Sequence, residues 1–183
     1  MIYVFLADGF EEVEAVTPID LLRRAGLDVV TAAVSDRDDN TITGSHGIQC
    51  VCDIHIRDAV YDGLEGVILP GGKAGTANLT ASDKVAEFVR FTDANGLVTA
   101  AICAAPSVIG GLGLLEGKRA VCYPGWEDKL TGAEICDIPA VTDGNTITAR
   151  GAGASLEFSY ELIRKFCGEA KADEIARSIV WSR

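Results

Sequence analysis

The run Val98-Thr-Ala-Ala-Ile-Cys103-Ala-Ala-Pro106-Ser-Val-Ile-Gly110 reads as a buried strand that passes straight into a helix, with Cys103 at the junction. A short apolar run bounded by Gly96 fits a strand of a parallel sheet, covered on both faces. Pro106 suits the first turn of a helix, where its missing N–H costs nothing. A thiol at such a junction is placed to react. Free N–H groups and the dipole of a helix N-terminus favour the thiolate. The sharp turn projects the sulfur beyond the sheet edge, as in a nucleophile elbow. The plain alternative is a small core cysteine, since free Cys is among the most buried residue types.

Upstream, Ile2 to Leu6 is a strand ending in Ala7-Asp8-Gly9, and Glu11 to Ala25 is an amphipathic helix stopped by Gly26. Pro18 is expected to kink that helix. Glu14 stands out as a carboxylate amid Val13, Ala15 and Val16; it is either a solvated flank or a group facing the sheet's carboxyl edge, with its pKa raised by burial. Asp28 to Val34 is a strand, and Thr41–Thr43 with Ile48–Cys52 form a hairpin around Gly44-Ser45-His46-Gly47. Cys50 and Cys52 alternate on one strand and share a face. Val67 to Leu69 is a buried strand ending in Pro70-Gly71-Gly72, where two glycines permit close backbone approach and N–H groups aimed at an anion. The run after Gly72 is no phosphate loop, because Lys73 is followed by Ala74 and the glycine spacing is wrong.

Downstream, Asp83 to Ala94 is a helix stopped by Asn95-Gly96, and the helix after Cys103 is expected to reach Leu115. Ala120 to Tyr123 is strand-like, and Trp126 to Leu130 a short turn or helix. Asp143-Gly144-Asn145 joins two strands of a hairpin. Ser155 is expected to cap a helix built on Leu156, Phe158, Leu162, Ile163 and Phe166, and Asp173 to Val180 forms the last helix. The alternation gives an α/β fold, a mostly parallel sheet with helices on both faces, expected as one domain over residues 1–183. Ligands of such sheets bind outside the carboxyl ends of the strands. Glu14, Gly71-Gly72 and Cys103 all follow a strand's carboxyl end.

Composition narrows the function. Sixteen Lys and Arg against 27 Asp and Glu give a net charge of -11, which argues against nucleic-acid or anionic-membrane partners. No apolar run reaches the roughly 20 residues of a membrane helix. Ile2 follows Met1 with no basic leader region, so a reducing, cytoplasmic setting is expected, with the six cysteines as free thiols. No Cys-x-x-Cys pair or Cys/His cluster has zinc spacing; neither metal nor cofactor is expected.

Five stretches carry a resemblance: Leu6-Ala-Asp-Gly-Phe-Glu-Glu-Val-Glu-Ala-Val, Leu21-Leu-Arg-Arg-Ala-Gly, Leu69-Pro-Gly-Gly, Ala101-Ile-Cys-Ala-Ala-Pro and Arg150-Gly-Ala-Gly-Ala-Ser-Leu-Glu-Phe. The chain resembles the ThiJ/PfpI family, in its deglycase branch, over nearly its whole length. The resemblance implies a flavodoxin-like sandwich, usually a homodimer with the first helix near the interface. It places Cys103 on the family's reactive cysteine and Glu14 on a protonated carboxyl that bonds the thiolate. It places Gly72 and Ala104, beside Gly71, on the N–H groups of an anion pocket. Tyr123, His46 and Arg24 fall near that pocket, Tyr123 where the branch often has His and His46 where it often has Arg. Ala104 stands where the protease branch has His after the cysteine, and no His-x-Glu pair of the glutamine-amidotransferase kind is present; protease and amidotransferase chemistry are not expected. The implied activity is glutathione-independent conversion of a methylglyoxal-type α-oxoaldehyde or its early protein adduct, the alternative being a non-enzymatic oxidative-stress sensor or chaperone-like protein that uses oxidation of Cys103.

Overall fold

A computed structural model describes residues 1–182. The elements in chain order are β1 (Ile2–Ala7), α1 (Glu12–Arg24), β2 (Val29–Val34), β3 (Thr41–Thr43), β4 (Gln49–Val51), β5 (Ile54–His55), β6 (Gly66–Leu69), α2 (Lys73–Ala81), α3 (Asp83–Ala94), β7 (Val98–Ile102), α4 (Pro106–Gly111), β8 (Arg119–Ala120), β9 (Glu134–Ile135), β10 (Ala140–Asp143), β11 (Thr146–Ala149), α5 (Ser155–Cys167) and α6 (Glu169–Ser178). The main sheet has the order β10-β11-β7-β6-β1-β2-β5, parallel except for the antiparallel β10–β11 hairpin. It is the flavodoxin-like arrangement, helices covering both faces.

β1 shows why its sequence is apolar at every position. Ile2, Val4 and Leu6 pack toward Leu22, Phe158 and Leu162 of α1 and α5. Tyr3, Phe5 and Ala7 pack the other way, toward Phe88 and Val89 of α3 and Ile109 of α4. A strand buried on both faces has no polar side to alternate with. Phe88 lies edge-on to Tyr3 and Phe5, ring centroids 5.6 and 5.4 Å away.

Some elements depart from the sequence reading. α1 runs unbroken across Pro18. α2 has no counterpart there, because Lys73–Ala81 is small and polar with little apolar stripe; Gly75 instead lets it approach β1's loop, where an added Cβ would lie 2.7 Å from the Phe10 Cα. α4 ends at Gly111 rather than Leu115, with Gly110 packed against the Lys129 carbonyl. Ser155 is the first residue of α5 and no cap; its hydroxyl donates to the Ala152 carbonyl at 2.8 Å. α6 starts at Glu169, after Gly168, and not at Asp173. β4 stops at Val51, yet Cys50 and Cys52 still turn toward the same core.

Candidate active site

Cys103 follows β7 with φ 66°, and among the described residues only Val180 shares a positive φ outside glycine. That conformation costs a non-glycine residue on the order of 1–3 kcal/mol and needs surroundings that impose it. Here the Cys103 N–H donates to the Ala149 carbonyl at 2.9 Å, and its carbonyl accepts from the Tyr123 N–H at 2.8 Å. The segment expected as a strand, Ala120 to Tyr123, is instead occupied with this task, and β8 is confined to Arg119–Ala120. The elbow is thus clamped from two elements at once.

Glu14, on the first turns of α1, is 1% exposed. Its Oε2 accepts from the Gly71 N–H at 3.0 Å, and its carboxyl is hydrogen-bonded to Cys103 and to the Ala152 N–H. Two backbone bonds dock α1 onto the glycine turn: Glu11 N–H to the Gly71 carbonyl and Gly75 N–H to the Gly9 carbonyl, each at 3.0 Å. A side chain at Gly71 would collide with the Glu14 carboxylate and stand 2.6 Å from the Cys103 Cβ; Gly72 has φ +88° and is walled by the Phe10 backbone. The Gly72 and Ala104 N–H groups point at the sulfur. Gly71, expected to serve the anion pocket, gives its N–H to Glu14 instead.

The electrostatics correct one expectation. Burial raises the Glu14 carboxyl to about 7, against the hydrogen bonds from Cys103, Gly71 and Ala152 that pull it down. Burial and the adjacent Glu14 charge push the Cys103 thiol up to about 12, and the Gly72 and Ala104 N–H groups only partly offset this. The thiol is not acidified, because its burial and the neighbouring Glu14 outweigh the two N–H groups. Sulfur and carboxyl therefore compete for one proton, and charge on the sulfur requires that Glu14 hold it.

The remaining candidates separate. The Tyr123 ring lies over Gly151, whose Cα environment also faces Glu14, and it borders an open, largely apolar cleft of about 470 Å³ with Pro124, Pro139 and Ala152. His46 is exposed and turned to Glu12, its Nδ1 2.9 Å from the carboxylate; it does not meet Cys103 or Glu14. Arg24 lies at the far end of α1, paired with Asp20 at 2.8 Å, two to three turns from Glu14, and lines no part of the site. Glu12 went unnoticed in the sequence, where it reads as a second acid in the first turn of a helix. It is buried and gathers the 44–48 turn: the His46 N–H at 2.7 Å, the Ile48 N–H at 3.4 Å and the Ser45 hydroxyl at 3.2 Å. Burial raises its pKa, but these bonds and His46 win and lower it to about 2. Glu11, Glu12 and His46 bring possible metal-ligand atoms within 4.8 Å of one another, and the Glu12 oxygens are already committed to the turn.

A strained cysteine on a strand-to-helix elbow, a buried protonatable glutamate and a double-glycine turn at the carboxyl edge of a flavodoxin-like sheet define a class of cysteine-centred α/β proteins. The chain belongs to the DJ-1/PfpI family, whose model matches residues 1–165. It is similar to DJ-1 homolog B of Arabidopsis thaliana, 37% identical over 177 residues, 96% of this chain and 40% of that protein. The chain thus spans about two fifths of the length of its Arabidopsis relatives. A deglycase of Pyrococcus abyssi is 28% identical over 165 residues, covering 89% of this chain and 97% of that protein. The structure of oxidized Toxoplasma gondii DJ-1 superposes with a TM-score of 0.94 at 30% identity, covering 100% of this chain and 98% of that one. No helix among the described residues is long and apolar enough to cross a membrane.

Proposed function

We propose that the protein is a cysteine-dependent glyoxalase or deglycase acting on methylglyoxal-type α-oxoaldehydes, free or as early adducts on proteins. The observation that carries this is the hydrogen-bonded Cys103–Glu14 pair, flanked by the Gly72 and Ala104 N–H groups. Glu14, as carboxylate, takes the thiol proton as the sulfur attacks the aldehyde carbon and forms a C–S bond. The carbonyl electron pair moves to oxygen, where the two N–H groups meet the charge; such donors are worth roughly 3–4 kcal/mol in hydrolases. Glu14 protonates that oxygen, then as carboxylate carries the proton from the former aldehyde carbon to the ketone carbon, while the hydroxyl proton passes to the former ketone oxygen and the C–O double bond re-forms at the carbon bearing sulfur. A pKa near neutrality suits both directions of transfer. The resulting lactoyl thioester is cleaved by water, giving lactate and the free thiol. The kinship to a deglycase supports the substrate class.

A second reading keeps the same sulfur and drops the turnover. Oxidised to a sulfinate, Cys103 would find the Gly72 and Ala104 donors and the Glu14 carboxyl already arranged around it, and a relative is known in an oxidized structure. The test is lactate release from methylglyoxal by the reduced protein without glutathione, beside Cys103→Ser and Glu14→Ala. Turnover lost in both variants supports the enzyme; a wild type without turnover leaves the sensor. A homodimer belongs to the same proposal, with the exposed Val13 and Val16 of α1 as its apolar contact.

A further inference from the structure

The cleft that Tyr123 borders is far larger than methylglyoxal needs. Its volume, about 470 Å³, lies within the roughly 300–1,000 Å³ of ligand pockets. Two of its lining residues are hydrogen-bonded to the catalytic pair: the Tyr123 N–H donates to the Cys103 carbonyl at 2.8 Å, and the Ala152 N–H donates to the Glu14 carboxyl. Gly151 lies between cleft and pair. A Cβ on it would stand 3.3 Å from Tyr123 Cδ2 and 3.9 Å from Glu14 Oε1, with nothing nearer. Ring edge and carboxyl oxygen thus flank one gap about the size of a methyl group. The Gly151 φ of 163° is extended backbone that any residue adopts, so conformation does not call for glycine there. The missing side chain keeps the gap open. On the cleft side, the half-exposed Tyr123 ring joins Pro124, Pro139 and Ala154 in a flat apolar surface. Of the two charged lining residues, Arg150 is already paired with Asp137 at 2.8 Å. Such a surface offers an aromatic group a ring to stack on.

We infer that this cleft seats the organic substituent of the substrate, and that the enzyme's substrate class is α-oxoaldehydes bearing a bulky apolar group, aryl above all, in place of methyl. The inference rests on the proposed glyoxalase activity. The substituent lies against the Tyr123 ring, and the aldehyde carbon reaches the Cys103 sulfur past Gly151. The chemistry is that given above: sulfur adds to the aldehyde carbon, the proton on that carbon moves to the ketone carbon, and water cleaves the thioester. Phenylglyoxal and one water give mandelate, with no oxidant or reductant.

The test compares kcat/KM for phenylglyoxal, read as mandelate, with kcat/KM for methylglyoxal, read as lactate, in the reduced full chain. The wild type is expected to favour phenylglyoxal by about tenfold or more. Two variants change the cleft and leave Cys103 and Glu14 in place. Gly153→Phe fills it, since a Cβ at Gly153 meets nothing within 4 Å. Tyr123→Ala removes the ring and keeps the N–H that holds the elbow. Each is expected to bring the phenyl-to-methyl ratio down toward one. A wild-type ratio of one or less, or a ratio unmoved in both variants, would overturn the inference. A second readout needs no turnover: the rates at which N-phenylmaleimide and N-methylmaleimide label Cys103, mapped by mass spectrometry. Faster phenyl labelling in the wild type, lost in Gly153→Phe, places an apolar group in the cleft; equal ratios in wild type and variants deny it. If neither aldehyde is turned over, the glyoxalase reading and the substrate class fall together, and the labelling ratio still decides whether the cleft serves Cys103.

Discussion

Gly71 has no room for a methyl group: its Cα is boxed by the Glu14 carboxylate, the Cys103 Cβ and the Ile102 carbonyl. Gly71→Ala is expected to abolish lactate release and to cost about 1–3 kcal/mol of stability, read from the urea midpoint; an active Gly71→Ala protein would show that the carboxyl–sulfur spacing is not critical. Glu14 adds a pH signature. Its folded pKa of about 7 lies above the ordinary 4.5, so between those values the native state holds a proton the unfolded chain has released. Stability contributed by the neutral carboxyl therefore falls as pH rises through that window. Glu14→Gln lacks this loss, and its urea midpoint relative to wild type is expected to climb from pH 4.5 to 7. A constant difference would mean that Glu14 is already ionised at low pH.

Among the elements, the β3–β4 hairpin hangs on one buried carboxylate. Glu12 has a folded pKa of about 2, below the ordinary 4.5. Its contribution is present above pH 4.5 and is lost as pH falls toward 2. Amides of residues 44–48 are expected to lose hydrogen-exchange protection over that range, and to lack it at neutral pH in Glu12→Gln; unchanged protection would sever the hairpin from α1. At α3, Phe88→Ala removes the ring that lies edge-on to Tyr3 and Phe5 and is expected to cost about 3–5 kcal/mol, seen as a lowered Tm. Legibility differed between elements for a physical reason. α3 and the β10–β11 hairpin were readable to the residue or nearly so, because an apolar stripe and an Asp-Gly-Asn turn are local signals. α2 was not, because Gly75 and Thr76 are chosen by a neighbouring loop rather than by helical periodicity. Cys103 and Glu14 could be found in the sequence; Glu12's role and the raised thiol pKa could not, since both depend on residues more than thirty or eighty positions away.

At the scale of the molecule, the carboxyl ends of β1, β6 and β7 converge on the Cys103 site, and α1 crosses that edge with Val13 and Val16 facing outward, 49% and 48% exposed. Val13→Asp with Val16→Asp is expected to convert a dimer to a monomer in sedimentation velocity; a wild type already monomeric would remove the dimer from the proposal. The order of strands also has a bearing on how the chain is made. β1 lies mid-sheet with β6 on one flank and β2 on the other, yet β6 begins at Gly66 and β7 at Val98. On a ribosome adding roughly 5–20 residues per second, the sticky segment Ile2-Tyr-Val-Phe-Leu-Ala7 waits several seconds for its second neighbour. Until then α1 is the one helix already made that can cover it, and slower synthesis between residues 8 and 69 lengthens that exposure.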